Sequence, residues 1–95
     1  MTIQEKLTLA FKDLRKLGYF ARQNFTCCQT CGWAEVPQGR DKVVFYHAQD
    51  KANLDKRGNC YLAWEGNGEE IVTTLQNRGL VVEWNGDENT RIKVT

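Results

Sequence analysis

Three of the four cysteines fall within five residues, in Phe25-Thr26-Cys27-Cys28-Gln29-Thr30-Cys31-Gly32-Trp33. Thiols this close suit a metal ion, a redox pair or a nucleophile. Cys28-Gln29-Thr30-Cys31-Gly32 has the C-x2-C-G form of a zinc knuckle. In such a knuckle two thiolates face one ion across a tight turn, and turn N–H groups stabilise the sulfur charge. The glycine that follows permits φ > 0 and close approach.

Structural zinc takes four ligands, so two more donors are needed. The chain holds a single histidine, His47, and a distant Cys60. Val43–His47 and Cys60–Trp64 both read as strands. An antiparallel register with Val43 opposite Trp64 sets Phe45 opposite Leu62 and His47 opposite Cys60. Residues directly opposite have Cβ atoms about 4.5–5.5 Å apart. The expected zinc ligands are therefore Cys28, Cys31, His47 and Cys60, with Cys27 and Asp50 as substitutes.

Three rival readings stand beside the metal site. Cys28 and Cys31 form a C-x-x-C dithiol, but Gly32 and Pro37 argue against the long helix that would lower the attacking thiol's pKa. A cysteine nucleophile with His47 as base and Asp50 as orienter needs a substrate pocket, which a domain this small hardly affords beside its core. The plain reading is that the cysteines are buried and only pack.

The elements that must position these residues are legible in part. Thr2 and Glu5 make a capping box, and Ile3, Leu7, Ala10, Phe11, Leu14 and Leu17 share one face, which predicts a helix over 2–17 stopped by Gly18. Tyr19 to Phe25 reads as extended, Val36-Pro37-Gln38-Gly39 as a turn and Gln49 to Asn59 as an exposed loop. A second capping pattern, Asn67 with Glu70, opens a helix carrying Ile71, Val72 and Leu75 and ending at Gly79. Leu80, Val82 and Trp84 alternate in a strand, Asn85-Gly86-Asp87 turns the chain, and Ile92 and Val94 continue in a last strand. The expected class is α+β in the order α-β-β-α-β-β: one mixed or antiparallel sheet of about four strands, with two helices on one face and a further extended segment near residue 20.

Ninety-five residues, 41% hydrophobic and 26% charged, are ordinary for one globular domain spanning 1–95. A net charge of +1 gives no basic stripe for nucleic acid. Arg22, Arg40, Arg57 and Arg91 read as solvated, with room only for a small local basic patch. No apolar run reaches membrane-span length, and the first residues lack a secretory signal, so the cytoplasm, where thiols stay reduced, is the expected compartment. Trp33, Trp64 and Trp84 read as core. The chain contains no serine, for which there is no physical account.

Phe25-Thr26-Cys27-Cys28-Gln29-Thr30-Cys31-Gly32 and Phe45-Tyr46-His47-Ala48-Gln49-Asp50 resemble a family of small uncharacterised bacterial proteins with F-x-C-C-x-x-C-G and F-Y-H-x-Q-D segments. Leu75 to Ile92 is similar to that family's helix–strand–turn–strand close. The resemblance implies that Cys27, Cys28, Cys31, His47, Gln49 and Asp50 form one constellation, with Cys27, Cys28, Cys31 and His47 as the rival ligand set. It implies no activity. Small size, neutral charge and few catalytic groups favour a non-enzymatic module that binds another protein, of the size expected of a phage or mobile-element inhibitor. The runner-up is a thiol redox protein or cysteine enzyme using Cys28, Cys31 and His47.

Overall fold

A computed structural model describes residues 2–95. Helix α1 (Ile3–Lys16) begins as expected: the Thr2 hydroxyl accepts from Glu5 N–H at 3.1 Å, and the Glu5 carboxylate accepts from Thr2 N–H at 3.3 Å. Leu7, Ala10, Phe11 and Leu14 form its buried stripe, and Gly18 follows with φ +96°.

Strand β1 (Phe20–Arg22) runs parallel to β2 (Val43–Phe45). Parallel neighbours need a crossover, and residues 23–42 supply it through a short helix, α2 (Gln29–Glu35). Helix α3 (Ala48–Arg57) then leads to β3 (Cys60–Glu65), antiparallel to β2, and α4 (Gly68–Asn77) to β4 (Val82–Glu83) and β5 (Ile92–Val94). The sheet order is β1-β2-β3-β5-β4. The class is α+β as the patterning implies, but with four helices and a mixed five-stranded sheet among the described residues rather than two helices and about four strands.

The helices cover both faces of this sheet. On one side α1 and α4 enclose Phe11, Val44, Tyr46, Leu62, Ile71, Leu75, Ile92 and Val94, joined by Leu54 of α3. On the other, Trp33 and Val36 from the crossover meet Phe20, Phe25, Val43, Phe45 and Ala63. All three residues of β2 are therefore buried, as befits a strand covered on both faces. Trp64 and Trp84 pack edge to face at 5.4 Å on the first side, partly rather than fully buried.

Two expectations fail for one local reason. Strand β2 stops at Phe45 because His47 is the N-cap of α3: its Nδ1 accepts from Asp50 N–H, and the Asp50 carboxylate accepts from His47 N–H, each at 3.4 Å. The stretch expected as a loop over 49–59 is thus mostly helix, closed by Gly58 in the left-handed region. The β2–β3 register is also one residue away from the expected one: Val43 faces Glu65, Val44 faces Trp64 and Phe45 faces Ala63. Cys60 pairs with Val94 of β5 and not with His47.

Candidate metal centre

Residues 23–28 carry the chain from the edge of the sheet to α2 under visible constraint. Asn24 and Thr26 both have positive φ, +50° and +63°. For β-branched Thr26 this is a true outlier, costing of order 1–3 kcal/mol unless its surroundings hold it. They do. Phe25 N–H donates to the Tyr46 carbonyl at 2.8 Å, Ala48 N–H to the Thr26 carbonyl at 3.0 Å, and the Thr26 hydroxyl to the Cys28 carbonyl at 2.9 Å. The loop is tied to the β2–α3 junction on one side and to α2 on the other.

Cys28 is the N-cap of α2, and Cys31 lies in its first turn. This arrangement sets the sulfurs of Cys27, Cys28 and Cys31 within 4.8 Å of one another. Cys27 Sγ and Cys31 Sγ are 3.6 Å apart and unlinked. Cys27 and Cys31 are exposed and Cys28 half-buried, so the cluster opens on solvent. Helix α2 can sit so close because Gly32 lies on Phe45: a Cβ there would come within 2.4 Å of the Phe45 ring. Gly32, expected to supply a positive φ and close approach at a knuckle turn, instead lies within α2 without positive φ, and the close approach it permits is to an aromatic ring of the sheet. Helix α2 runs only seven residues and ends at Glu35, before Pro37, so no long helix follows Cys31.

Cys28 and Cys31 are electrostatically unlike. The Cys31 backbone N–H, with the thiols of Cys31 and Cys27 and the Thr30 N–H, lowers the Cys28 pKa below the ordinary thiol value. Cys31 moves the opposite way, to about 11, because it shares its proton with Cys28 and Cys27. A thiolate is thus favoured at Cys28, while Cys31 holds its proton more tightly than an ordinary thiol.

The remaining expected ligands lie elsewhere. The carboxylate of Asp50, which is 3% exposed, lies 3.2 Å from His47 Nε2 and accepts from the Arg91 guanidinium. Arg91 also donates to the Tyr61 carbonyl at 2.5 Å. Cys60 is fully buried, and burial, then the Asp50 charge, pushes its pKa to about 12. The structure therefore does not bring Cys28, Cys31, His47 and Cys60 together. Among the described residues, the group with metal-ligand spacing is Cys27, Cys28 and Cys31. Arg91, read as solvated, is the partner that sequence reasoning missed; its 41-residue separation from Asp50 leaves no local trace.

No helix among the described residues is long and apolar enough to cross a membrane. Residues 1–95 match the family described as Domain of unknown function (DUF6891), and the chain belongs to that family, in keeping with its resemblance to uncharacterised proteins. No curated protein and no solved structure matches it.

Proposed function

We propose that this chain is a metal-binding module in which Cys27, Cys28 and Cys31 hold one thiophilic divalent cation, zinc in a cell, and that it acts by binding another protein rather than by catalysis. The sulfur spacing carries the reading. With Zn–S bonds of about 2.3 Å, two sulfurs of a tetrahedral site lie about 3.8 Å apart. Cys27 and Cys31 already lie at 3.6 Å, and all three sulfurs within 4.8 Å. Three thiolates leave a fourth position, which the exposure of Cys27 and Cys31 turns toward solvent. Water or a donor from a bound partner completes it. Such a site belongs where thiols stay reduced, as in the cytoplasm.

The test is elemental mass spectrometry on protein purified without chelator or affinity tag, together with a thiol count and cobalt substitution. The expected result is about one zinc per chain, with the clustered thiols protected and tetrahedral cobalt–thiolate absorption on exchange. Protein that takes up neither metal after reduction and reconstitution rules the site out. Pull-downs that recover no specific partner from the native host count against the binding role.

One observation favours a second reading. Cys28 occupies the N-cap position of α2, where the Cys31 and Thr30 N–H groups lower its pKa, a setting that suits an attacking thiol with Cys31 as its resolving partner. Exchange with a small disulfide would form the Cys28–Cys31 bond and release two equivalents of small thiol. Iodoacetamide reacting with metal-free Cys28 no faster than with free cysteine at neutral pH removes this reading.

A further inference from the structure

A second site lies at the outer edge of the sheet. Arg15 from the last turn of α1, Arg22 from the end of β1 and Arg40 from the segment before β2 converge on a depression of about 320 Å³, lined also by Gly18, Tyr19 and Phe20. We propose that these three guanidiniums form a binding site for the terminal phosphoryl group of a phosphomonoester.

The arginines are held in place without being neutralised. Arg15 Nη1 and Arg22 Nη1 both donate to the Ala21 carbonyl at 3.0 Å, and Arg40 Nη2 donates to the Gly18 carbonyl at 3.2 Å. The guanidinium carbons of Arg22 and Arg40 lie 4.3 Å and 5.6 Å from the Phe20 ring centre, within cation–π range. Among the described residues none of the three has a carboxylate partner, whereas Arg78 and Arg91 are paired with Asp13 and Asp50. Lys42, over the Tyr19 ring at 5.5 Å, adds a fourth cation nearby. Asp41, the adjacent acidic residue, borders a different depression with Trp64, Glu65 and Gly66.

Two guanidiniums on one carbonyl repel each other, and an anion bound between them relieves that cost. Shielding the free edge of β1 from strand pairing would account for one arginine on Ala21 but not for Arg40 on Gly18. A phosphomonoester carries about −1.5 to −2 charge and three acceptor oxygens, which suits converging guanidinium forks. A nucleic-acid strand presents singly charged phosphates in a row and calls for a stripe of cations. The depression is large enough for the phosphoryl group and part of its carrier.

The site is independent of the thiol cluster, and its test is arginine Nε–Hε NMR on the whole protein titrated with phenyl phosphate. Saturable shifts at Arg15, Arg22 and Arg40 are expected, with inorganic phosphate binding at the same signals. Arg40→Gln, whose tether is a single loop carbonyl, should weaken binding roughly ten-fold with unchanged melting. Arg22→Lys, which keeps the charge but loses the fork, should weaken it several-fold. Cys31→Ser should leave it intact. The proposal is overturned by absence of saturable shifts, by an equal response to acetate, or by tighter binding of a single-stranded oligonucleotide without terminal phosphate.

Discussion

Gly32 lies against the ring of Phe45 so closely that a methyl group would stand 2.4 Å from its nearest carbon. This contact seats α2 on the sheet and thereby fixes where Cys28 and Cys31 point. Gly32→Ala must push α2 away or turn the Phe45 ring, and overpacking of this kind costs about 1–3 kcal/mol. The expected outcome is a lower melting temperature together with weaker cobalt binding, since the sulfurs no longer share one centre. Adding Phe45→Leu should recover part of both. Unchanged cobalt affinity in Gly32→Ala would show that the cluster does not depend on this seat.

Thiol accessibility separates the four cysteines in a way that metal content alone does not. Metal-free folded protein should show three thiols accessible to reagent, Cys31 slower than Cys28 because its pKa is raised, and one that reacts only on unfolding, because Cys60 is fully buried. Serine at Cys27, Cys28 or Cys31 should each reduce cobalt affinity by at least about ten-fold while sparing the fold. Cys60→Ala should keep the metal and cost about 1 kcal/mol of stability. If Cys60→Ala abolishes cobalt binding while Cys27→Ser does not, the ligand assignment is wrong.

What could be read ahead of the structure was local, and what could not was long-range or unconventional. Thr2 and Glu5 announce α1 because a capping box and a 3.6-residue period lie in adjacent residues. The thiol cluster is equally local, since Cys27, Cys28 and Cys31 meet across the first turn of one short helix. His47 misleads because it caps α3 in a position where serine, threonine, aspartate or asparagine is the usual sign. Ending β3 at Trp64 instead of Glu65 shifts its pairing with β2 by one residue, and extending β2 to His47 then brings Cys60 falsely to its side. The covering of the second face was hidden too, because Gly32 looks like a helix breaker until Phe45 is seen beneath it.

Asp50 is where α3 is fastened to the sheet. It caps the helix through His47 and receives Arg91 from the residue preceding β5. Asp50→Asn keeps an oxygen for the cap but leaves the Arg91 charge without its counterion. Breaking a buried pair costs several kcal/mol, and with the Arg91 side chain 30% exposed we expect about 2 kcal/mol. Asp50→Ala, which loses the cap as well, should cost about 1 kcal/mol more. Denaturant unfolding measures both, and an Asp50→Asn protein as stable as the parent would mean that Arg91 finds water instead.

Asp13 of α1 and Arg78 at the end of α4 make a two-pronged pair, with Nε to Oδ2 at 2.7 Å and Nη2 to Oδ1 at 3.0 Å. The hydrogen bond from Arg78 holds the Asp13 pKa below the ordinary carboxylate value; burial opposes it, and the charges of Arg78, Lys16 and Lys12 add to the lowering. A carboxyl whose folded pKa is lowered contributes stability that is complete above its unfolded value, about 3.9, and is lost as pH falls through the folded value. Asp13→Asn should therefore melt below the parent at neutral pH, by a few degrees at most because the pair is solvent-accessible. The two melting curves should converge in acid, once the parent's own Asp13 is protonated and resembles the variant. Added salt should narrow the neutral-pH gap for the same reason. A gap that persists undiminished well below the carboxylate range would assign the effect to helix α1 itself and not to the clamp between α1 and α4.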